Sequence, residues 1–502
     1  MPEAASAKLS PQSAPESWLA TAVQHRRTAA AIAGLALLVQ ALGRQNGDNA
    51  WFITFAEHVL DGAAPYVDIG DPNLPFAFLI YMPAVLLGRL LGVAPEAVTV
   101  ALVFVGAAAS AALAGHILRQ GGAMTPSEAH PLLCAGAFAL LLMPAFCFAE
   151  REHVALLLML PLFATLAVRA RDGAVARGAA LVAGLGGGLA LGIKPYYALA
   201  LVLPWSWVLW RRRDMRALVR PETVGCAVAA VVSAATVVLL FPAYVTQALP
   251  VAAEVYGPAR ASFATLLVSP LLVASAVILA ALAAMLRGAP DDRATIAALG
   301  ALGFLLTFLV QGKGWMNHAY PGLALALLAL VPILLRVPPP RRFVAYVAVP
   351  FIAVAPFLCG LLEDIWSREE YPGLSAAVER LAPAHPTMIG LTEQLDVVHP
   401  LVRHVGGRFV GRQNCLWVAA SVRYLLERGG LDPARREALL RDRVAEETTF
   451  AADVARERPD VILSESPALV AWSRREPALA HVLDRYRSVE TVGDIEIWLR
   501  QP

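Results

Sequence analysis

Five short polar stretches interrupt an otherwise apolar chain, and they hold most of the residues able to do chemistry in its first 362 positions. GDNAWF carries Asp48, and YVDIGDPNLP follows it with Asp68 and Asp71. AEREH packs Glu150, Arg151, Glu152 and His153 together, and GIKPYY holds Lys194. QGKGWMNHAYP sets Lys313, Trp315, His318 and Tyr320 between two apolar runs. The chemistry open to such a set is group transfer. A carboxylate accepts the proton of an attacking hydroxyl, and cations or hydrogen-bond donors stabilise an anionic leaving group. Asp48, Glu150 and Asp71 are the candidate catalytic carboxylates. Lys313, His318, Lys194, Arg151, Asp68, His153 and Tyr320 are the candidates for binding substrate. Lysine serves phosphate as a point charge. Between residues 9 and 502 the only lysines are Lys194 and Lys313; every other basic site is Arg or His.

Each of these residues also has a plainer reading. Asp48 can cap a helix that starts near Ala50. Asp68 and Asp71 stand beside Gly70 and Pro72, as turn residues do. Glu150 or Glu152 can be a solvated loop charge or a partner for Arg151. The lysines can snorkel to headgroups, His153 and His318 can be ordinary interfacial residues, and Trp315 and Tyr320 fit an aromatic belt. The chemical reading gains from the joint placement of acids and lysines on one face, and that depends on topology.

Hydrophobic residues make up 58% of the 502 positions and charged ones only 16%, with a mean hydropathy of +0.59. A soluble domain carries about 25% charged residues, so this is an integral membrane protein with soluble mass attached. The net charge of +2 gives no sign of a nucleic-acid partner. A span needs roughly 20 apolar residues, and eleven stretches qualify: 28–44, 96–118, 131–149, 153–169, 177–193, 196–210, 222–241, 263–286, 294–311, 319–336 and 342–362. A twelfth run, 74–92, is short, contains Pro83 and carries Arg89. If it dips into the membrane and returns, Arg26-Arg27, Arg119, Arg169/Arg171/Arg177, Arg211–Arg213 with Arg216, Arg287/Arg293 and Arg336/Arg341/Arg342 all fall on alternate loops, which are then cytoplasmic. The expected organisation is a disordered cytoplasmic N-terminus (1–27) whose first span is not a cleaved signal, a transmembrane module (28–362) with a long first outer loop (45–95), and an extracytoplasmic α/β domain (363–502). The five polar stretches then share the outer face. Heavy use of Ala, Arg and Leu fits a GC-rich bacterium, and the expected location is its inner membrane.

Asp48 after the first span, an amphipathic helix over 50–61 expected to lie in the interface, and DPNLPF (71–76) leading into a juxtamembrane helix resemble the GT-C class of polytopic glycosyltransferases. That class includes protein O-mannosyltransferases, aminoarabinose transferases and RgtA-like enzymes. The acidic pair common after the first span is Asp48-Asn49 here, one carboxylate in place of two. The class's second acidic site falls on AEREH. The resemblance covers residues 1–362 and implies a fold of about eleven transmembrane helices plus juxtamembrane helices. It also implies an inverting enzyme that takes a sugar from a polyprenyl-phosphate donor, at the membrane surface, to an extracytoplasmic glycan, lipid or protein. The other classes considered are an O-antigen ligase or polymerase, whose large loop comes late in the chain, and a lipid or glycan transporter, which would show mid-span charges and repeated halves.

No cofactor is expected. GLGGGLALG (184–192) lies inside a span and reads as close helix packing, not as a phosphate loop. No zinc spacing such as HExxH occurs, and nothing specific argues for a divalent metal. Five cysteines form no CxxC; Cys359 and Cys415 are the one pair that a bridge could join.

Overall fold

The computed structural model describes residues 15–336, 351, 354–359, 362 and 369–502, with side chains from Arg26 onward. Most of the expected span 342–362, and the N-terminal 14 residues, lie outside them. The helices are α1 (Pro15–Leu42), α2 (Gly47–Leu60), α3 (Phe76–Leu79), α4 (Met82–Leu91), α5 (Pro95–Gln120), α6 (Pro126–Ala137), α7 (Arg151–Ala170), α8 (Arg177–Ile193), α9 (Ala198–Arg212), α10 (Pro221–Leu240), α11 (Leu249–Val251), α12 (Phe263–Leu267), α13 (Pro270–Gly288), α14 (Asp292–Gln311) and α15 (Met316–Leu334).

The protein is a helical, multi-pass membrane protein. Among the described residues six helices are long and apolar enough to cross a membrane, and a seventh span results if α1 and α2, bent by 72° at their junction, count as one. The expected stretches at 131–149, 177–193 and 196–210 are helical but shorter, and within 263–286 the long helix begins only at Pro270. The glycines of α8 allow close packing, as the sequence indicated. A Cβ on Gly184 would stand 2.1 Å from the Glu222 carbonyl oxygen, and one on Gly188 2.2 Å from that of Cys226, so α10 could not approach a larger residue.

The run 74–92 forms α3 and α4. The whole segment Phe76–Leu91 is too short a helix for the hydrocarbon core, whose ~30 Å needs about 20 residues. Both its ends meet α2: Phe78 stacks on Phe55 with ring centroids 4.4 Å apart, and Arg89 pairs with Asp61 at 2.8 Å.

The C-terminal part folds around a five-stranded mixed sheet of order β2-β1-β3-β5-β4. Strands β1 (Thr387–Leu391), β2 (Arg408–Phe409) and β3 (Val461–Ser464) run parallel; β4 (Tyr486–Val492) and β5 (Ile495–Arg500) add an antiparallel hairpin. TMIGL and VILS are apolar runs buried on both faces, the pattern of central parallel strands.

The structure corrects one expectation. Helix α2 does not lie bare in the interface. Trp51, Phe52 and Phe55 are fully buried in a core that they share with Met388, Val397 and Phe409 of the C-terminal unit. Arg403, from the helix His399–His404, clasps this arrangement. Its Nη1 donates to Glu57 at 2.6 Å and to Thr54 at 3.1 Å, and its Nε donates to Glu96 at the start of α5. Cys359 and Cys415 are not joined by a disulfide.

Candidate active site

The link between α1 and α2 is shaped by Asn46. Its Oδ1 accepts from the Asn49 backbone N–H at 3.0 Å and caps α2, while its Nδ2 donates to Glu150 at 2.8 Å and to the Phe146 carbonyl at 3.1 Å. Asp48 is therefore not the cap. It sits in the first turn, where the helix dipole favours a carboxylate, and is left to make a tertiary contact. That contact is Arg151, whose Nη2 donates to Asp48 Oδ2 at 2.5 Å. The arginine side chain is 4% exposed and that of Asp48 21%, so the carboxylate is the accessible end of the pair. The guanidinium lies 4.7 Å from the centroid of the Phe52 ring. Its Nε and Nη1 are buried without a hydrogen-bond partner, an arrangement that costs free energy unless a ligand or water completes it.

Two residues before Arg151, Ala149 adopts a left-handed conformation (φ 65°) that turns the chain into α7. Glu150 is buried there and accepts from Asn46 and from Asn317 Nδ2 on α15. Burial, with Asp48 and Glu152 adding, pushes its carboxyl well above the usual range, against the pull of Arg151. Its hydrogen bonds tie the α1–α2 link, α7 and α15 together. Glu152, two residues on, pairs with Lys194 from the end of α8. The Lys194 Nζ also contacts Gln311 Oε1 and His318 Nε2, each at 3.2 Å. Glu152 Oε2 and His318 Nδ1 are buried without partners. Asp48, Glu150, Arg151, Lys194 and His318 thus form one cluster at a single end of the bundle. Beside it lies a cavity of about 430 Å³ whose lining includes Asn46, Asn49, Arg44 and Phe148.

Lys313 is set apart from the cluster. Gly312 ends α14 at φ 65°, and the lysine Nζ donates to the Tyr256 and Ala259 carbonyls at 2.9 and 2.6 Å, above the Tyr256 ring. Burial, with Arg260 adding, lowers its pKa to about 8. Asp71 is buried and accepts from Trp51 Nε1 at 2.8 Å, from the Asn73 N–H at 2.7 Å and from Asn414 Nδ2 at 3.3 Å, so it joins the first loop to the C-terminal unit. Asp68 accepts from the Ala64 N–H at 2.9 Å and closes a turn. His153 spends both ring nitrogens on backbone, receiving from the Ala149 N–H at 3.1 Å and lying 2.8 Å from the Leu140 carbonyl. The Tyr320 hydroxyl donates to the Ala139 carbonyl at 2.8 Å, and its ring packs in the core. Among the described residues no three His, Cys, Asp or Glu side chains converge as a metal would require.

Sequence reasoning missed Asn46, Gln311, Asn317 and Asp396. Gln311 and Asn317 lie in the same polar stretch as Lys313 and could have been taken with it. Asp396 comes from the C-terminal unit, and its carboxylate fills the space beside Gly47, where a Cβ would overlap its Oδ1. Burial, with Asp48 adding and Arg44 opposing, raises its pKa to about 6.

By sequence, no family and no curated protein matches the chain. By structure, it matches ArnT from Cupriavidus metallidurans bound to undecaprenyl phosphate, with a TM-score of 0.56, 14% identity, and coverage of 97% of this chain and 98% of that one. The apo state of ArnT gives 0.55 and 14%, covering 96% and 97%. The mycobacterial arabinofuranosyltransferase AftD gives 0.44 and 16%, covering 95% of this chain and 40% of that one, a score too low to carry an argument. At such identities the likeness is one of fold. In fold, the resemblance to the GT-C class holds over nearly the full length of the chain.

Proposed function

We propose that the protein is an inverting glycosyltransferase that moves a sugar from a polyprenyl-phosphate donor to a hydroxyl of an extracytoplasmic glycan, lipid or protein. The observation that carries this reading is the Asp48–Arg151 pair. It presents an accessible carboxylate beside a buried guanidinium with two unpartnered nitrogens. ArnT, of the same fold, has been solved with undecaprenyl phosphate bound.

In this reading the Arg151 guanidinium turns to the donor phosphate: each of its two-pronged edges pairs an unpartnered nitrogen, Nε or Nη1, with Nη2, the nitrogen that Asp48 holds. The phosphate then competes with Asp48 for the guanidinium, and the carboxylate is released as donor binds. Asp48 takes the proton of the acceptor hydroxyl. The hydroxyl oxygen forms the new bond to the anomeric carbon from the face opposite the leaving group, and the carbon–oxygen bond to phosphate breaks with its electron pair going to the prenyl phosphate. Lys194 and His318 add positive charge or hydrogen-bond donors to that leaving group. Glu150 holds the helices that carry these groups. Lys313 would serve the phosphate only after leaving its carbonyl partners. The arginine distribution supports an extracytoplasmic cluster and a cytoplasmic N-terminus, and the membrane we propose is a bacterial inner membrane.

The test is turnover by the purified, lipid-reconstituted protein given a panel of synthetic polyprenyl-phosphate sugars and a mixed acceptor extract. Release of prenyl phosphate with label on the acceptor supports the reading. Movement of the intact donor between leaflets without bond cleavage would make the protein a transporter.

A further inference from the structure

The end of the bundle opposite Arg151 holds a cavity of about 660 Å³, the size of a small-molecule site. It is bounded by the first half of α1, the second halves of α5, α7 and α15, the start of α14, and α6. Small residues create it: Ala33, Ala108, Ala111, Ala164, Ala297 and Ala329 stand where larger side chains would close the gap between helices. Among the described residues its charged lining is basic, consisting of Arg26, Arg119 and Arg293, with no carboxylate. Arg293 is committed elsewhere, to Asp291 at 2.7 Å, Glu128 at 2.8 Å and the Ala123 carbonyl at 2.7 Å. Arg26 and Arg119 have no acidic partner among the described residues, and the Arg119 guanidinium lies back over Gly115 at the rim.

The depth is informative. The α5 wall runs from Ala107 to Arg119, a rise of about 18 Å at 1.5 Å per residue, which is close to one leaflet of a ~30 Å hydrocarbon core. An apolar slot one leaflet deep, with two arginines at its mouth that have no acidic partner among the described residues, fits a lipid with an anionic headgroup. We propose that this cavity is a binding site for an anionic glycerophospholipid, one acyl chain lying among the alanines and the phosphate between Arg26 and Arg119. The site is independent of the Asp48–Arg151 cluster. Its occupant would fasten the start of α1, the helix that leads into α2, to α5 and α7.

The proposal is tested on full-length protein, purified and stripped of lipid in detergent, by thermal unfolding with added phosphatidylglycerol or phosphatidylcholine of the same chains, and by native mass spectrometry of the bound lipid. Phosphatidylglycerol should raise Tm saturably and stay bound, and phosphatidylcholine should do neither. Arg119→Gln should weaken that binding about fivefold, the effect of one basic residue near an anionic headgroup. Ala164→Leu, which fills the slot, should abolish it; Ala111→Met fills the slot from another helix and serves if the first variant does not fold. Equal shifts from the two lipids overturn the proposal. So does an undiminished response in a folded slot-filling variant, or a shift produced by undecaprenyl phosphate and not by phosphatidylglycerol.

Discussion

Asp48 and Arg151 are 103 residues apart in the chain and meet at 2.5 Å across the junction of α2 and α7. Each is the other's only salt-bridge partner among the described residues, yet they differ in access: the carboxylate reaches the surface and the guanidinium does not. Substituting Asp48→Asn keeps an acceptor for Arg151 and leaves the cap of α2 untouched, because Asn46 provides it. Loss of a general base costs about 10²–10⁴-fold in rate. Transfer by the variant should fall by that factor, while prenyl-phosphate affinity, read by thermal shift, is kept or improved. Wild-type turnover by Asp48→Asn would remove Asp48 as the base.

Lys194 and Glu152 are a buried pair at the same end. Breaking such a pair from one side leaves an uncompensated charge at a cost of about 3–5 kcal/mol. Lys194→Met should therefore lower the melting temperature sharply, and Lys194→Met with Glu152→Gln should recover most of the loss. If the single and double variants melt together, the pair contributes little.

Lys313 holds its charge only below about pH 8. Its folded pKa is below the 10.5 of a free lysine, so its unfavourable contribution to stability fades as pH rises from 8 toward 10.5. Over the same rise it gives up the charge that could attract phosphate. If it serves the donor, wild-type affinity should drop as pH passes about 8, and that of Lys313→Arg should stay level. Parallel profiles for the two proteins would confine Lys313 to holding the 256–259 turn.

Asp396 titrates upward, to about 6, because it is buried next to Asp48. A raised carboxyl pKa means stability that is fully present below about pH 4 and lost as pH climbs to about 6. Asp396→Asn still accepts a hydrogen bond and carries no charge. Its melting temperature should fall less than that of the wild type between pH 4 and pH 6.5. Identical slopes would mean that Asp396 is solvated.

The proposed orientation puts the C-terminal unit on the extracytoplasmic side of the membrane. A C-terminal fusion should show alkaline phosphatase activity and no cytoplasmic fluorescence; the reverse would require one crossing more or fewer.

The membrane character and the helices themselves were legible because long apolar runs have one stable outcome in lipid. The acid and base residues were legible as rarities in such a background. Two things were hidden. One was which polar residues spend their capacity on the protein itself: His153 and Tyr320 look as reactive in sequence as His318, and only the Leu140 and Ala139 carbonyls across the bundle distinguish them. The other was the fate of α2. Its Trp51 and Phe55 could face lipid or protein equally well, and the apolar strands that cover them lie more than 300 residues later. No local period encodes a contact of that range.

That range matters for how the molecule is made. Glu57 waits for Arg403, 346 residues downstream, and Asp71 waits for Asn414, 343 residues downstream. A ribosome adding roughly 5–20 residues per second leaves the first loop without these partners for tens of seconds. During that interval Trp51 and Phe55 are an uncovered apolar surface at the membrane edge, open to lipid or to a chaperone. The Asp48–Arg151 contact can form early, but the cover that fixes α2 arrives late, so a nascent chain cannot complete the setting of α2 until nearly all of it exists.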